Sequence, residues 1–144
     1  MDDQSQQILA HMIRGRQTAA LGTLRNGAPF VSMVPYAFTP DFTGYDIHIS
    51  TLAHHTRDIL ADPRVSLMIA QPESPGLDAQ ALPRVSIRGV AVMIPKDSPD
   101  YAEARSRYLA RFPGAVERSI EIAERIGFDL SQLKYESPDE PVPP

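Results

Sequence analysis

The sequence predicts a mainly β, single-domain protein, a small antiparallel barrel with helices around it. Its 144 residues match the usual size of one domain. Five apolar segments of strand length follow one another in hairpin and meander order. Helical patterns occur only at the N-terminus, after the third segment and after the fifth. This order lacks the regular strand–helix alternation of a parallel sheet, so we expect an antiparallel one.

The composition excludes several classes of protein. The chain has no cysteine, which removes disulfide frameworks, thiol nucleophiles, cysteine-type zinc sites and iron–sulfur clusters. Its formal net charge of −4 does not favour binding to duplex nucleic acid. No apolar run approaches the length of a membrane span, and the Met1-Asp2-Asp3 start lacks the basic and apolar regions of a secretion signal. We therefore expect a soluble, cytoplasmic protein.

The strand predictions rest on alternating apolar residues and on turn residues. Residues 18–25 and 28–38 flank Asn26-Gly27, which is a strong signal for a hairpin. Gly22 in the first of these strands indicates a close backbone approach. Pro29 and Pro35 in the second have no N–H to donate, so parts of it should lie at an edge, a bulge or a ligand. Three more strands are predicted, over residues 45–50, 64–70 and 83–95.

The helix predictions rest on apolar stripes that end at capping or breaking residues. Gly15 follows the first stripe, and Asp62-Pro63 stops the second. Ser98 is an N-cap for the third region, which Pro113-Gly114 divides into two helices. The predicted helical regions are residues 2–14, 52–61 and 98–127.

The predicted domain covers residues 1–135, with the barrel in residues 17–95. Residues 128–135 fit either a last strand or an irregular segment. Residues 136–144 (ESPDEPVPP) are polar and rich in proline, and we expect them to form a disordered tail.

The best candidate for a functional site is the segment STLAHHTR, residues 50–57. It lies where a strand ends and a helix begins. The first N–H groups of a helix lack internal partners and carry partial positive charge, so they attract anions. Three hydroxyls, two imidazoles and a guanidinium in the same turn fit a phosphate pocket. The alternative is an ordinary surface helix whose Ser50 or Thr51 only caps its own N-terminus.

Other chemistry has less support in the sequence. His54 and His55 are adjacent, so on a helix they point about 100° apart and seldom share one metal ion. No metalloprotease spacing, serine-hydrolase elbow or glycine-rich phosphate loop is present, and we predict no metal site. Arg84 stands between two apolar stretches, so it either faces solvent or meets an anion or a polar ring edge.

Three stretches together resemble a known family. They read NGAPFVSMVPYAF, YDIHISTLAHHTRDILADPRVSLMIA and LPRVSIRGVAVMI. This set is similar to the pyridoxamine 5′-phosphate oxidase-like, FMN-binding split β-barrel proteins, and among them to the haem-utilisation branch. The resemblance covers about residues 17–113. It implies a six-stranded antiparallel split β-barrel with peripheral helices.

The resemblance also implies a homodimer with FMN at the subunit interface. In the family the second strand lies along the flavin ring, and the turn after the third strand holds the phosphate and the ribityl chain. A fifth-strand position that corresponds to Arg84 contacts the flavin. Ser32 stands where many oxidases of the family carry an arginine. The implied cofactor-binding residues are Ser32, Met33, Val34, Pro35, Tyr36, Ile49, Ser50, His55, Thr56, Arg57 and Arg84.

Three functions remain open at this point. The first is an FMN-dependent oxidoreductase of unknown small-molecule substrate, for which no catalytic side chain is assigned. The second is a non-catalytic module that binds FMN or haem for haem utilisation, storage or sensing. The third is a split barrel that binds no ligand and serves as a dimeric structural unit. None of them involves a nucleic-acid or membrane partner.

Overall fold

A computed structural model describes residues 2–49 and 53–115, together with the backbone of residues 122–127 and 134–136. The helices in these ranges are α1 (Asp3–Gly15), α2 (His54–Ala61) and α3 (Pro99–Arg111). The strands are β1 (Thr18–Arg25), β2 (Ala28–Pro35), β3 (Ala37–Phe38), β4 (Gly44–His48), β5 (Arg64–Ala70), β6 (Arg84–Met93), β7 (Ile122–Gly127) and β8 (Lys134–Glu136). Within the part described, no helix combines the length and apolarity needed to cross a bilayer.

Local sequence signals place most of these elements where they were predicted. Asn26 and Gly27 have φ values of 51° and 79°, as the tight turn between β1 and β2 requires. The side chains of Asp2 and Ser98 cap α1 and α3 by accepting the third backbone N–H beyond them, at 2.7 Å and 3.2 Å. Both strands of the hairpin keep one register from end to end.

The strands form one antiparallel sheet in the order β2-β1-β5-β6-β7-β4-β3, with β8 paired to β6. Its two end strands, β2 and β3, are consecutive in the chain and are separated only by Tyr36. One bent strand therefore supplies both ends of the sheet, which curls back on itself. No ladder among the described strands joins β2 to β4. The result is the split barrel that the sequence predicted.

The prolines and the glycine of the first hairpin have the roles that the sequence indicated. β2 is an end strand and pairs only with β1 among the described strands, so Pro29 and Pro35 interrupt no second ladder. Gly22 lies against β5, where an added Cβ would be 2.6 Å from the Ser66 Oγ. The close approach at Gly22 is thus confirmed.

The core lies inside the curled sheet. Leu21, Leu67 and Ile87 are opposite one another on three successive strands, and all three are fully buried. Met12 and Ile13 of α1 belong to the same cluster of apolar side chains. Burial of this apolar surface is the main favourable contribution to folding.

Tyr36, at the bend between β2 and β3, is fully buried. Its hydroxyl donates a hydrogen bond of 2.7 Å to the Ile13 carbonyl, and its backbone N–H donates one of 3.2 Å to the Gln17 carbonyl. Burial raises the pKa of Tyr36 to about 12, so the hydroxyl stays protonated and able to donate. The bend is therefore tied to the link between α1 and β1.

The prediction of a second helix after Pro113-Gly114 is wrong for the residues that the structure describes there. Ile122–Gly127 form β7, which lies between β6 and β4 and pairs with both. The spacing of Ile122 and Ile126 fits a helix, but without this strand two backbone edges within the sheet would lack partners. Residues 116–121 of the predicted helix lie outside the described residues.

The sheet has eight described strands rather than the expected six. The bend divides the predicted strand 28–38 into β2 and β3, and β7 replaces part of a predicted helix. Glu136 was expected to begin the disordered tail, but it ends β8 and is paired with Arg84 of β6. Residues 128–133 and 137–144 lie outside the described residues.

Tyr36→Phe should lower the free energy of unfolding by about 1–3 kcal/mol, because the buried Ile13 carbonyl loses its donor. Urea unfolding followed by circular dichroism measures the change. Tyr101→Phe, at a half-buried tyrosine near the start of α3, is the control. An unchanged midpoint for Tyr36→Phe would show that this bond does not stabilise the bend.

Candidate functional site

The N-cap residue of α2 is Ala53, whose methyl group cannot accept a hydrogen bond. Among the described residues, no N-cap side chain therefore satisfies the first N–H groups of this helix. Ser50 and Thr51, the residues of the alternative reading in which this turn only caps its own helix, lie outside the described residues, so that alternative stays open.

The imidazole of His55 is buried at Nε2, which has no hydrogen-bond partner among the described residues. Burial lowers the pKa of His55 because it disfavours the charged form, and the negative charge of Asp58 offsets part of this effect. At neutral pH the ring is therefore mainly neutral, with one N–H to donate. A buried polar nitrogen without a partner is costly unless a ligand or water satisfies it.

Ser32 is a second buried polar group without a partner. It lies on the inner face of β2, opposite Leu21 of β1, and its Oγ makes no hydrogen bond within the described residues. Its hydroxyl can donate to an anion. Ser32 and His55 are thus two unsatisfied donors on two different elements.

A chain of contacts places these two donors on the same side of β1. The Thr23 Oγ1 donates to the Asp58 Oδ2 of α2 at 3.3 Å, and Thr23 is paired with Phe30 of β2. Ser32 is two residues beyond Phe30, so both lie on the inner face of the strand. His55 is three residues before Asp58, which puts both on one side of the helix.

The other residues of the predicted phosphate turn have different environments. Thr56 is buried, with 2% of its surface exposed, and it interacts within the fold. Arg57 is exposed. Thr56 therefore faces the core, because the apolar side of α2 turns inward at that position, whereas Arg57 faces solvent. Ile49 is in the core, so only its backbone could contact a ligand.

The second-strand candidates divide between the two faces of the sheet. Val34 and Tyr36 are in the core and could meet a ligand only through the backbone. Pro35 is exposed, and Met33 is 74% exposed. Ser32 and Met33 contribute to an open groove of about 410 Å³ along β1, β2 and β5. Its lining also includes Arg16, Ala20, Val31 and Met68.

Arg84 lies away from the phosphate turn. Register places Arg84, Ala70, Thr18 and Pro35 in one row across the sheet. Three strand spacings, roughly 14 Å, separate Arg84 from Pro35. The Arg84 Nη1 donates to the carbonyls of Gln80 and Leu82, at 3.3 Å and 3.1 Å. Within one chain the structure therefore does not bring Arg84 next to β2.

Sequence reasoning missed an ion pair beside the phosphate turn. The Arg25 guanidinium and the Asp58 carboxylate meet at 3.1 Å, and Asp58 is buried. The available signal was the position of Asp58, next to Ile59 on the side of α2 that carries its buried residues. Periodicity alone would have assigned that carboxylate to solvent.

Comparison with known proteins gives the family. The profile of the pyridoxamine 5′-phosphate oxidase family matches residues 5–135. The chain belongs to this family, which confirms the resemblance inferred from the motifs.

Among curated proteins, similarity extends to two haem oxygenases. The chain is 41% identical over 90 residues to the chloroplastic non-canonical heme oxygenase HOZ of Arabidopsis thaliana, and this match covers 62% of the chain and 26% of that protein. It is 28% identical over 116 residues to the heme oxygenase HutZ of Vibrio cholerae, covering 80% of the chain and 65% of HutZ. A stretch of 42 residues, 29% of the chain, is 57% identical to an error-prone DNA polymerase of Caulobacter vibrioides. It spans only 4% of that polymerase.

Solved structures share the fold. A crystal structure of HutZ, described as a heme storage protein from Vibrio cholerae, superposes with a TM-score of 0.77 at 23% identity, and the match covers 89% of this chain and 92% of that one. An FAD-binding protein from Mesorhizobium loti superposes with a TM-score of 0.71 at 16% identity, covering 90% of each chain. At these identities the likeness establishes the architecture alone.

The His55 pKa should be below 6.5, the value of an unperturbed imidazole, because burial disfavours the charged ring. Asp58→Asn should lower it further, since the carboxylate favours the protonated form. NMR titration of the histidine rings, assigned with a His55→Gln variant, measures both values. A His55 pKa above 6.5 would contradict the buried position of Nε2.

Proposed function

We propose that the protein is an FMN-binding flavoprotein that holds the cofactor phosphate at the first turn of α2. The observation that carries this proposal is the pairing of a helix N-terminus whose N-cap residue is alanine with the Nε2 of His55, which has no partner among the described residues, in that same turn. Each feature alone is common, but together they supply several donors when the proton of the neutral His55 ring is on Nε2. A phosphate monoester offers the matching set of acceptor oxygens.

The donor set fits the charge of the ligand. A phosphate monoester carries about −1.5 to −2 near pH 7. The first turn of α2 faces it with the positive end of the helix dipole, and the His55 ring adds one donor. Arg57 adds an exposed cation on the same turn, and Ser32 supplies a hydroxyl from β2. Ser50 belongs to the proposed set on the strength of the family resemblance.

The isoalloxazine ring would lie along β2, beside residues 32–36, as the family resemblance implies. Bound flavin supplies the redox chemistry, and the protein supplies orientation and electrostatics. We therefore propose an oxidoreductase related to pyridoxamine 5′-phosphate oxidase, with its substrate unassigned.

We further propose that two copies assemble through the outer face of the sheet. Five exposed apolar side chains point outward from this face: Val31, Met33, Met68, Val90 and Val92. Exposed apolar side chains of this kind are common at interfaces, and the exposed Arg64 and Arg88 lie on the same face. Arg84 lies on this face too, and a second copy is the simplest way to bring an Arg84 to β2.

A haem-binding module is the second candidate function. It is favoured by the names of the relatives, since HOZ and HutZ are both called heme oxygenases. The absorbance spectrum of the purified protein separates the two candidates, because flavin absorbs near ~450 nm and haem has a Soret band near ~400 nm. Flavin bands, or their appearance with added FMN, support the first. A Soret band with no response to FMN supports the second, and a colourless protein that binds neither excludes both.

The wild-type protein should bind FMN at least about a hundredfold more tightly than riboflavin, which lacks only the phosphate. Each charge-assisted hydrogen bond contributes about 1.5–3 kcal/mol, and two or three of them give a gap of that size. His55→Leu combined with Arg57→Ala should close most of the gap. Thr56 is left in place because it is buried. Quenching of flavin fluorescence measures both affinities, and equal wild-type affinities would exclude the phosphate site.

Light scattering should give a mass near twice 15.9 kDa at micromolar protein. We expect the interface to bury upwards of ~2,000 Å² in total, as obligate dimers do. Met33→Glu with Val92→Glu should yield monomers, because both carboxylates would be buried without partners in the assembly. A variant that changes an exposed residue elsewhere, Leu77→Glu, is the control. A wild-type mass near 15.9 kDa would exclude the dimer.

A further inference from the structure

Arg25 and Asp58 form a clamp between β1 and α2. The Arg25 Nε donates to the Asp58 Oδ1 and Oδ2 at 3.1 Å and 3.3 Å, and its Nη2 donates to the Oδ2 at 3.2 Å. The Thr23 hydroxyl donates a fourth hydrogen bond to the same carboxylate, at 3.3 Å. The carboxylate is thus held from two residues of one strand, and its side chain is only 7% exposed.

The clamp also reaches β2. Arg25 is the last residue of β1, directly before the two-residue turn, and its guanidinium lies 3.9 Å from the centre of the Phe30 ring. Such a cation–aromatic contact holds the guanidinium plane in one orientation. Phe30 is two residues before Ser32 on the same face of β2. One set of contacts therefore links α2 to the strand that carries the other unsatisfied donor.

α2 depends on outside contacts for its position. It has eight residues, too few for a stable isolated helix, and its N-cap residue, Ala53, has no side chain that can cap it. Thr56 and Ile59 are buried and set how deeply the helix sits. The clamp fixes the orientation of the helix, because a carboxylate and a guanidinium fork match in only a few geometries.

We infer that the Arg25–Asp58 clamp is a positioning device that holds the first turn of α2, with His55, against β1 on the side that Ser32 also faces, and so sets the geometry of the phosphate site. The inference rests on the proposed FMN function. Asp58 itself is a carboxylate and would repel a phosphate, so its role is to orient α2 and not to touch the ligand. Arg25 neutralises that charge and holds the pKa of Asp58 below its usual range.

A purely structural role makes a different prediction. A buried or half-buried ion pair adds little net stability, and its replacement by apolar residues of similar size is often neutral for folding. If the clamp served stability alone, its removal would weaken the binding of every ligand equally or of none. If it positions the phosphate turn, its removal affects only ligands that carry the phosphate.

The test is the double variant Arg25→Met/Asp58→Leu, which removes the clamp without changing the net charge near the ligand. Affinities for FMN and riboflavin are measured by quenching of flavin fluorescence, with thermal unfolding to show that the variant is folded. We expect FMN affinity to fall at least tenfold and riboflavin affinity to stay within twofold of wild type. Thr23→Val removes one bond to Asp58 without changing any charge, and should lower FMN affinity alone by about twofold to fivefold.

A matched control uses the ion pair at the other end of the same helix. Arg64 and Asp62 meet at 2.6 Å with Arg64 largely exposed, so Asp62→Asn/Arg64→Met removes a charge pair without touching the first turn. This control should bind both ligands as the wild type does. The inference is overturned if the Arg25→Met/Asp58→Leu protein keeps wild-type FMN affinity or loses both affinities equally. A wild type that does not prefer FMN to riboflavin would instead overturn the phosphate site itself, and the inference with it.

Discussion

The bend at Tyr36 is the constraint on which the rest of the structure depends. It makes one strand serve as both ends of the sheet, with β2 at one end and β3 at the other. A buried phenol can occupy that corner because its hydroxyl reaches the Ile13 carbonyl at the end of α1. The sheet therefore curls around its core, and no ladder among the described strands joins β2 to β4. The candidate site lies on the side of the barrel that β1 and β2 form.

The candidate site combines backbone donors with few charges. The His55 ring is mainly neutral at pH 7 because burial lowers its pKa, and the carboxylate of Asp58 is neutralised by Arg25. In the proposed function, the attraction for an anion would come from the helix N-terminus, two neutral side-chain donors and the exposed Arg57. Ser32 stands where the family resemblance implies an arginine in many oxidases, so a phosphate site in this chain would depend on helix geometry more than on charge. Such a site is sensitive to the orientation of α2.

The outer face of the sheet has a different character from the site. Its exposed side chains on β2, β5 and β6 include valines and methionines together with Arg64 and Arg88, and Arg84 stands at its margin. The separation between Arg84 and β2 within one chain, roughly three strand spacings, has a physical explanation if the complete site spans two copies.

Short-range physics let the sequence predict much of this protein by itself. The Asn26-Gly27 turn, the cap at Ser98, and the bounds of β1 and β5 depend on neighbouring residues only, and the structure confirms them. Only the tertiary structure decided that Ile122–Gly127 are a strand, because two edges distant in sequence required a partner. The same holds for Asp58, whose burial depends on an arginine 33 residues earlier, and for Thr56, which turns inward with α2. Local patterns record which conformations a segment prefers, whereas partners across the fold determine which preference is realised.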